Sequence, residues 1–435
     1  MCILLPSQTK AHMLYHSLTD RKITRGFAQA VVEGLAPDKG LYFPERIPTL
    51  PEQFWLSEND LKPWDIGAAM MAPLAEGDVD HEALHGMLKE VLNFPLDLHE
   101  IEEGVYALEL FHGPTHAFKD VGARFLSRVL RRLSDTRLTI LVATSGDTGS
   151  AVAQGFLNVP NIDVVILYPQ GRISKIQEQQ LTTAGANITA LEVEGAFDDC
   201  QAMVKAAFLD ADLQAQRPLT SANSINIARW MPQSIYYAWA TYMLGRPVQF
   251  SVPSGNVGNL AAGVLAAQMG MPHAGFIAAT NANDGLATFM NGEVFLARPS
   301  VATLSNAMDV GDPSNRPRLE ALFGGDLNKM RSVVKGSKLD DAGTLRVMKD
   351  VLERTDYVMC PHTAVGYAGL MEHRVKGVPG VVLATAHPAK FGEVVERASG
   401  HVPDLPDHLA ECLKKTKEAT VIPPDYDALK RHLLA

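Results

Sequence analysis

Residues 138–156, LTILVATSGDTGSAVAQGF, decide the architecture. The apolar run at 138–142 reads as a short buried strand. A turn of hydroxyls and glycines follows at 144–149, and small residues then continue as a helix. Strand, polar turn and helix in that order form the repeating unit of a parallel sheet.

The same unit recurs on both sides. Strands are expected at 164–168 and 188–193, with a helix at about 174–184 between them. Asp198 and Asp199 suit the start of a helix running to 208. The stretch 219–226 leads into one long helix ending near 244. After Gly245 the pattern resumes, with a strand at 248–252, a turn at 254–259 and a helix at 260–269. Further buried strands fall at 276–280 and 381–385. Such alternation predicts an α/β protein with two doubly wound, mostly parallel sheets and a cleft between them. The expected division is an N-terminal helical extension at 1–95, a smaller α/β lobe at 96–240 and a larger one at 241–435. Within the extension, helices are expected at 26–32 and 80–92.

The whole-chain numbers fit this plan. At about 150 residues per domain, 435 residues allow two or three domains. A hydrophobic share of 46% with 20% charged residues is ordinary for a soluble globular protein. The net charge of −10 disfavours nucleic acid as a partner. Cys2, Cys200, Cys360 and Cys412 contain no CxxC pair, so neither a disulfide framework nor a cysteine zinc site is expected. No apolar run approaches the ~18 residues that cross a membrane, and MCILLPSQTK lacks the features of a signal peptide. The expected compartment is the cytoplasm.

Within this frame one lysine stands out. The stretch 111–120 reads FHGPTHAFKD, and from Asp120 the chain continues VGARFLSRVLRRL. Phe125, Leu126, Val129, Leu130 and Leu133 share a helical face, while Arg124, Arg128, Arg131 and Arg132 fall on the others. Lys119 therefore begins a helix. A cation at the positive end of a helix dipole has a depressed pKa, as a nucleophilic amine requires. On residue type alone, an exposed lysine is the ordinary alternative.

Two polar turns sit where doubly wound folds bind ligands, beyond strand ends and at helix N-termini. The turn 254–259, Ser-Gly-Asn-Val-Gly-Asn, offers successive amides to a phosphate without being a Walker loop. The turn 144–149 carries three hydroxyls and suits a carboxylate or phosphate. Arg229, close behind Asn223 and Ser224, is a natural phosphate partner. A helix-start lysine with anion-suited turns fits pyridoxal phosphate held as a Schiff base, plus an anionic substrate.

With these residues in view, the sequence resembles the threonine synthases, pyridoxal-phosphate enzymes of fold type II (the tryptophan-synthase-β-like fold). The likeness runs through TRGFAQAVVEGLAPDKGLYFPE, FHGPTHAFKD, ATSGDTGSA, NSINIAR, PSGNVGNLAAG, TLSNAMDVGDPSN and TAHPAKF, and is similar to the longer bacterial and fungal branch. The resemblance implies that Lys119 carries the cofactor and moves protons. It implies that Gly255, Asn256, Val257, Gly258 and Asn259 bind the cofactor phosphate, that Thr385 meets the pyridine nitrogen and that Asp147 lies near the ring. It assigns Thr144, Ser145 and Thr148 to the substrate, and Asn223, Ser224 and Arg229 to the substrate phosphate. The implied reaction converts O-phospho-L-homoserine and water to L-threonine and phosphate. Val257 and Asn259 depart from the aromatic and acidic residues usual at those loop positions. His116, inside the lysine stretch, is expected to pack locally.

Three other readings stay open on the sequence. A phospholyase would use the same cofactor but release a 2-oxo acid. A metabolite-binding protein would use the fold without chemistry. His81-Glu82-Ala83-Leu84-His85 also matches the zinc pattern HExxH, although no third ligand is evident and Leu84, Met87, Leu88 and Val91 make an ordinary amphipathic stripe.

Overall fold

The computed structural model describes residues 12–55, 60–134 and 136–435. The N-terminal run 1–11, where no signal peptide is expected, lies outside the described residues. Three short strands come first among the described residues: β1 (Leu14–Ser17), β2 (Thr24–Gly26) and β3 (Tyr42–Pro44) form a small antiparallel sheet in the order β2-β1-β3. The extension is thus helical with a sheet added. Its helices include α1 (Phe27–Glu33) and α2 (His81–Val91), close to the expected spans. Asp80 caps α2 by accepting from the Ala83 amide, and Leu84, Leu88 and Val91 face the core. His81 and Glu82 are exposed, and His85 is held by Asp65 at 2.8 Å. The HExxH histidines therefore belong to an amphipathic helix surface.

The next elements are β4 (Asp97–Glu102), β5 (Val105–Glu109), α3 (Lys119–Leu133), β6 (Leu138–Ala143), α4 (Asp147–Phe156), β7 (Ile162–Pro169), α5 (Lys175–Thr182), β8 (Ile188–Val193), α6 (Phe197–Leu209) and β9 (Leu219–Thr220). The long helix expected before 244 is broken. It consists of α7 (Ile227–Trp230), a 3-10 turn and α8 (Ser234–Leu244). Pro232 sits in the 3-10 turn, where it cannot supply an amide to a continuous helix. Then come β10 (Val248–Pro253), α9 (Gly258–Gln268), β11 (His273–Thr280), α10 (Arg316–Leu322), β12 (Val334–Lys338), β13 (Gly380–Ala384) and β14 (Thr420–Ile422).

Two α/β sheets result. The smaller runs β14-β8-β7-β6-β9 and is parallel throughout. The larger runs β12-β11-β10-β13-β5-β4, parallel except for its antiparallel edge strand β4. Sheet membership departs from the division at 96, 240 and 241. Strands β4 and β5 join the larger sheet although they precede the smaller one, and β14 returns from the C-terminal end to edge the smaller. Hydrophobic periodicity finds strands but does not say which sheet takes them, because pairing is a long-range choice.

Strand order puts a switch point in each sheet. In the larger, the chain leaves β10 towards β11, while β13 lies on the other side of β10. In the smaller, it leaves β6 towards β7, while β9 lies on the other side. Loops diverge at such points and open a crevice beyond the strand ends. The turns after β10 and β13, and those after β6 and β9, are therefore the four that face the cleft. Burial fixes the sheets firmly. Every residue of β6 and β10 is buried, and each large aliphatic side chain so covered contributes about 1.5–3 kcal/mol.

Candidate active site

Helix α3 carries Lys119 at its first position. The loop before it is folded back by Asp120, whose buried carboxylate accepts from the Thr115 amide at 2.8 Å and the Thr115 hydroxyl at 2.6 Å. Gly113 is required there, because an added Cβ would lie 2.5 Å from Asp120 Oδ2. Further on, Gly122 lets α3 pack against the carbonyl of Arg229, 2.7 Å from where its Cβ would be. Residues 119 and 229 are thereby brought together across the lobe. Phe125, Leu126, Val129 and Leu130 are buried as expected; Arg124 is buried too, bonded to Asn93 Oδ1 and the Glu90 carbonyl.

Lys119 lines a narrow cavity at the bottom of the cleft, together with Asp147, Thr148, Asn223, Ser224, Arg229, the turn from Gly255 to Asn259, and Thr385. Its amine is depressed from 10.5 to about 8. Burial is the main cause, opposed by the Asp147 carboxylate and reinforced by the cations of Arg229 and Lys390. The helix dipole, expected from sequence to do this, is not the leading effect. Folding thus favours the neutral amine. The cost of burying the charged form is full below about pH 8 and fades as pH climbs towards 10.5. Cofactor-free Lys119→Met is expected to melt above the cofactor-free parent at neutral pH, the gap narrowing as pH rises. Equal melting temperatures throughout would contradict this.

The cavity is built to take an anion. After β10, the amides of Gly255, Asn256, Val257, Gly258 and Asn259 donate to no acceptor among the described residues. Val257 holds a left-handed φ of 64°, a costly conformation for a β-branched residue, and its side chain is buried. Asn259 accepts from the Tyr237 hydroxyl at 2.9 Å, while its own Nδ2 is buried without a partner among the described residues. The Nε and Nη1 atoms of Arg229 are likewise buried and unpartnered. Buried donors left open carry a desolvation cost that an acceptor-rich ligand removes. Pyridoxal phosphate fits this set, offering a phosphate to the amides and an aldehyde to Lys119. Thr385, just after β13, lines the same cavity.

Two expected substrate residues lie elsewhere. Thr144 Oγ1 donates to the Gly146 carbonyl and accepts from the amides of Gly146 and Gly149. It is spent on shaping the turn, since a hydroxyl at that point meets the backbone donors first. Ser145 faces an outer groove of about 830 Å³ that leads to solvent between the lobes. Thr148 alone of the three lines the inner cavity. His116 packs against His387 and His408, and its pKa falls to about 4 through burial and the neighbouring cations, as local packing implies.

The N-terminal extension reaches this site from behind. Asn226 caps α7 by accepting from the Ala228 amide, and its Nδ2 donates to the Val31 carbonyl of α1 at 2.9 Å. Arg318 of α10 is fully buried, its guanidinium 4.7 Å from the Trp230 ring. It donates to the carbonyls of Tyr42, Ser224 and Ile225 and to Asn315 Oδ1. These links fix the 223–229 segment, and sequence reading misses them because Arg318 sits in an unremarkable helix. Lys390 escapes it too, although TAHPAKF places this lysine five residues after Thr385. Its ammonium is buried, 2.7 Å from Asp147 Oδ1.

Three family models match the chain. A model of threonine synthase N termini matches residues 14–91, one of pyridoxal-phosphate-dependent enzymes matches 91–385, and one of threonine synthase C-terminal regions matches 363–433. The threonine synthase of Escherichia coli is 41% identical over 431 residues, covering 97% of this chain and 99% of that one. The chain belongs to the threonine synthase family. The threonine synthase of Haemophilus influenzae is 42% identical, with 94% and 96% of the two chains covered. Among solved structures, the threonine synthase of E. coli superposes with a TM-score of 0.93 at 40% identity, over 97% of this chain and 99% of that one. A pyridoxal-phosphate-bound threonine synthase from Brucella melitensis follows at 0.91 and 34%, over 97% and 99%. Maize serine racemase, at 0.54 and 16%, shares the fold. This family is pyridoxal-phosphate-dependent, and the open donors around Lys119 match that cofactor.

Proposed function

We propose that the protein converts O-phospho-L-homoserine and water to L-threonine and phosphate. The observation that carries this reading is the pairing of two donor sets in one cavity, the free amides at 255–259 for a cofactor phosphate and Arg229 with Asn223 and Ser224 for a substrate phosphate. Bound at Lys119, pyridoxal phosphate supplies an electron sink for the carbanions formed at the substrate's Cα and Cβ.

The chain's own residues do the rest. Lys119, the residue that would hold the cofactor, would take the substrate's Cα proton with its amine. A Cβ proton is lost next, and the Cγ–O bond breaks with release of phosphate. Arg229, Asn223 and Ser224 hold the phosphate as its charge grows, in a buried setting where such interactions are strong. Thr148, which lines the cavity, would hold the substrate's α-carboxylate, and Asp147 stays ionised in the same cavity. Water then adds its hydroxyl to Cβ, and protons return to Cγ and Cα, Lys119 being the residue that would return the one at Cα. Thr385, which lines the same cavity, would hold the cofactor ring through its hydroxyl. Closure of the lobes over the groove keeps bulk water out during elimination.

The acidic balance of the chain supports a small-molecule substrate over nucleic acid. Three of its cysteines are free and buried, which suits the cytoplasm. No described helix is long and apolar enough to cross a membrane. The test is to incubate the loaded protein with phosphohomoserine and assay both products. Threonine with equimolar phosphate is expected. Phosphate with 2-oxobutyrate in place of threonine would make it a phospholyase.

A further inference from the structure

Lys390 is a second buried lysine beside the first. Its side chain has no solvent exposure, and that of Asp147 has 4%. Taking an ammonium out of water costs several kcal/mol, which only close partners offset. Lys390 has two. Its Nζ lies 2.7 Å from Asp147 Oδ1 and 2.9 Å from the Thr115 carbonyl, in the loop that precedes Lys119. Gln177 donates to the same Asp147 oxygen at 3.0 Å. One ammonium thus ties together the segment after β13, the turn at the head of α4 and the approach to α3.

The charges around this point are unusual. Lys119, Lys390 and Arg229 bring three cations to a site where Asp147 is the carboxylate that Lys119 feels. Burial alone would raise the Asp147 pKa, but the ammonium groups of Lys390 and Lys119 outweigh it and keep the group ionised. Asp120, His116, His362 and His387 also lie in the field of Lys390. Burial and the surrounding cations keep the histidines neutral, and Asp120 is engaged by Thr115. At Lys119 the Asp147 carboxylate is therefore set against the cations of Arg229 and Lys390, and Lys390 is the one in direct contact with it, at 2.7 Å.

We propose that Lys390 is a positioning residue for proton transfer: by neutralising Asp147 it keeps the Lys119 nitrogen able to give up and take protons near neutral pH. The proposal builds on the cofactor chemistry proposed above. Without Lys390, the Asp147 carboxylate would be opposed by Arg229 alone and would hold a proton on Lys119 more firmly. Without Asp147, the unbalanced Lys390 would drive that proton off. An unscreened charge within about 4–6 Å moves a pKa by roughly 1–3 units.

The test is a pH titration of the holoenzyme's visible absorbance, read together with the pH profile of kcat and with thermal melting. In Lys390→Met the midpoint is expected to rise by about one unit, in Asp147→Asn to fall by a similar amount, and in the double variant to return close to the parent. Should Lys390→Met fail to fold, Asp147→Asn against the double variant makes the same comparison, since the double variant buries no unpaired charge. Midpoints within a few tenths of the parent in all the variants, with only melting affected, would overturn the proposal and leave Lys390 a structural tie. Shifted midpoints in an enzyme that forms 2-oxobutyrate would fail the reaction assignment and leave this inference standing. Unshifted midpoints in an enzyme that forms threonine would do the reverse.

Discussion

Lys119→Ala is expected to lose turnover by about 10³-fold or more and to lose the visible absorbance of the bound cofactor. Lys390 is buried in the same region but cannot take its place, because its Nζ is committed to Asp147 and Thr115. The fold should survive, because the Lys119 amine forms no hydrogen bond or ion pair among the described residues and sits 5.6 Å from the Phe118 ring. The measurement is a spectrum with a single-turnover assay. A variant that kept both the absorbance band and the activity would remove Lys119 from the mechanism.

Arg318→Met is expected to have the second largest effect, and from a residue that lies outside the inner cavity. Removing the guanidinium leaves the carbonyls of Tyr42, Ser224 and Ile225 buried without their donor. Each orphaned group costs about 1–3 kcal/mol, so the loss of stability is roughly 3–5 kcal/mol after relaxation. The same change frees the 223–229 segment. A shift of about 1 Å at Arg229 would lower kcat/KM by roughly 10- to 100-fold. Denaturant midpoints and steady-state kinetics with phosphohomoserine check the two parts. A variant that lost stability but kept its KM would show that the extension supports the fold alone.

These residues mark how much can be read in the sequence. Periodicity finds the strands and helices because burial on both faces gives β6 and β10 unbroken apolar runs. It finds the cleft residues because a switch point needs polar turns after particular strands. Pairing escapes it. Nothing local in 97–109 says that its partner is β13, or that β14 will edge the other sheet. The bonding of Thr144 to its own turn escapes it for a similar reason: a hydroxyl in a tight turn and a hydroxyl facing ligand look alike until the backbone is folded. Lys119 is legible as an activated amine, but through the wrong cause. The helix dipole is visible in a sequence, whereas burial by distant residues is not. Lys390 and Arg318 illustrate the same limit, since each draws its meaning from partners far along the chain.

The exchange of strands between the two sheets bears on how the protein emerges from the ribosome. Strands β4 and β5 leave the exit tunnel early, yet β13, the strand that seats them, is made only at 380–384. The smaller sheet is laid down in between and still lacks its edge β14 until 420–422. Neither lobe can be finished as a nascent segment. Chain ends and unpaired strand edges stay open until synthesis is almost complete, a state prone to aggregation and served by chaperones. A split of the coding sequence near 240 should therefore yield two fragments that do not fold apart and recover structure only when produced together.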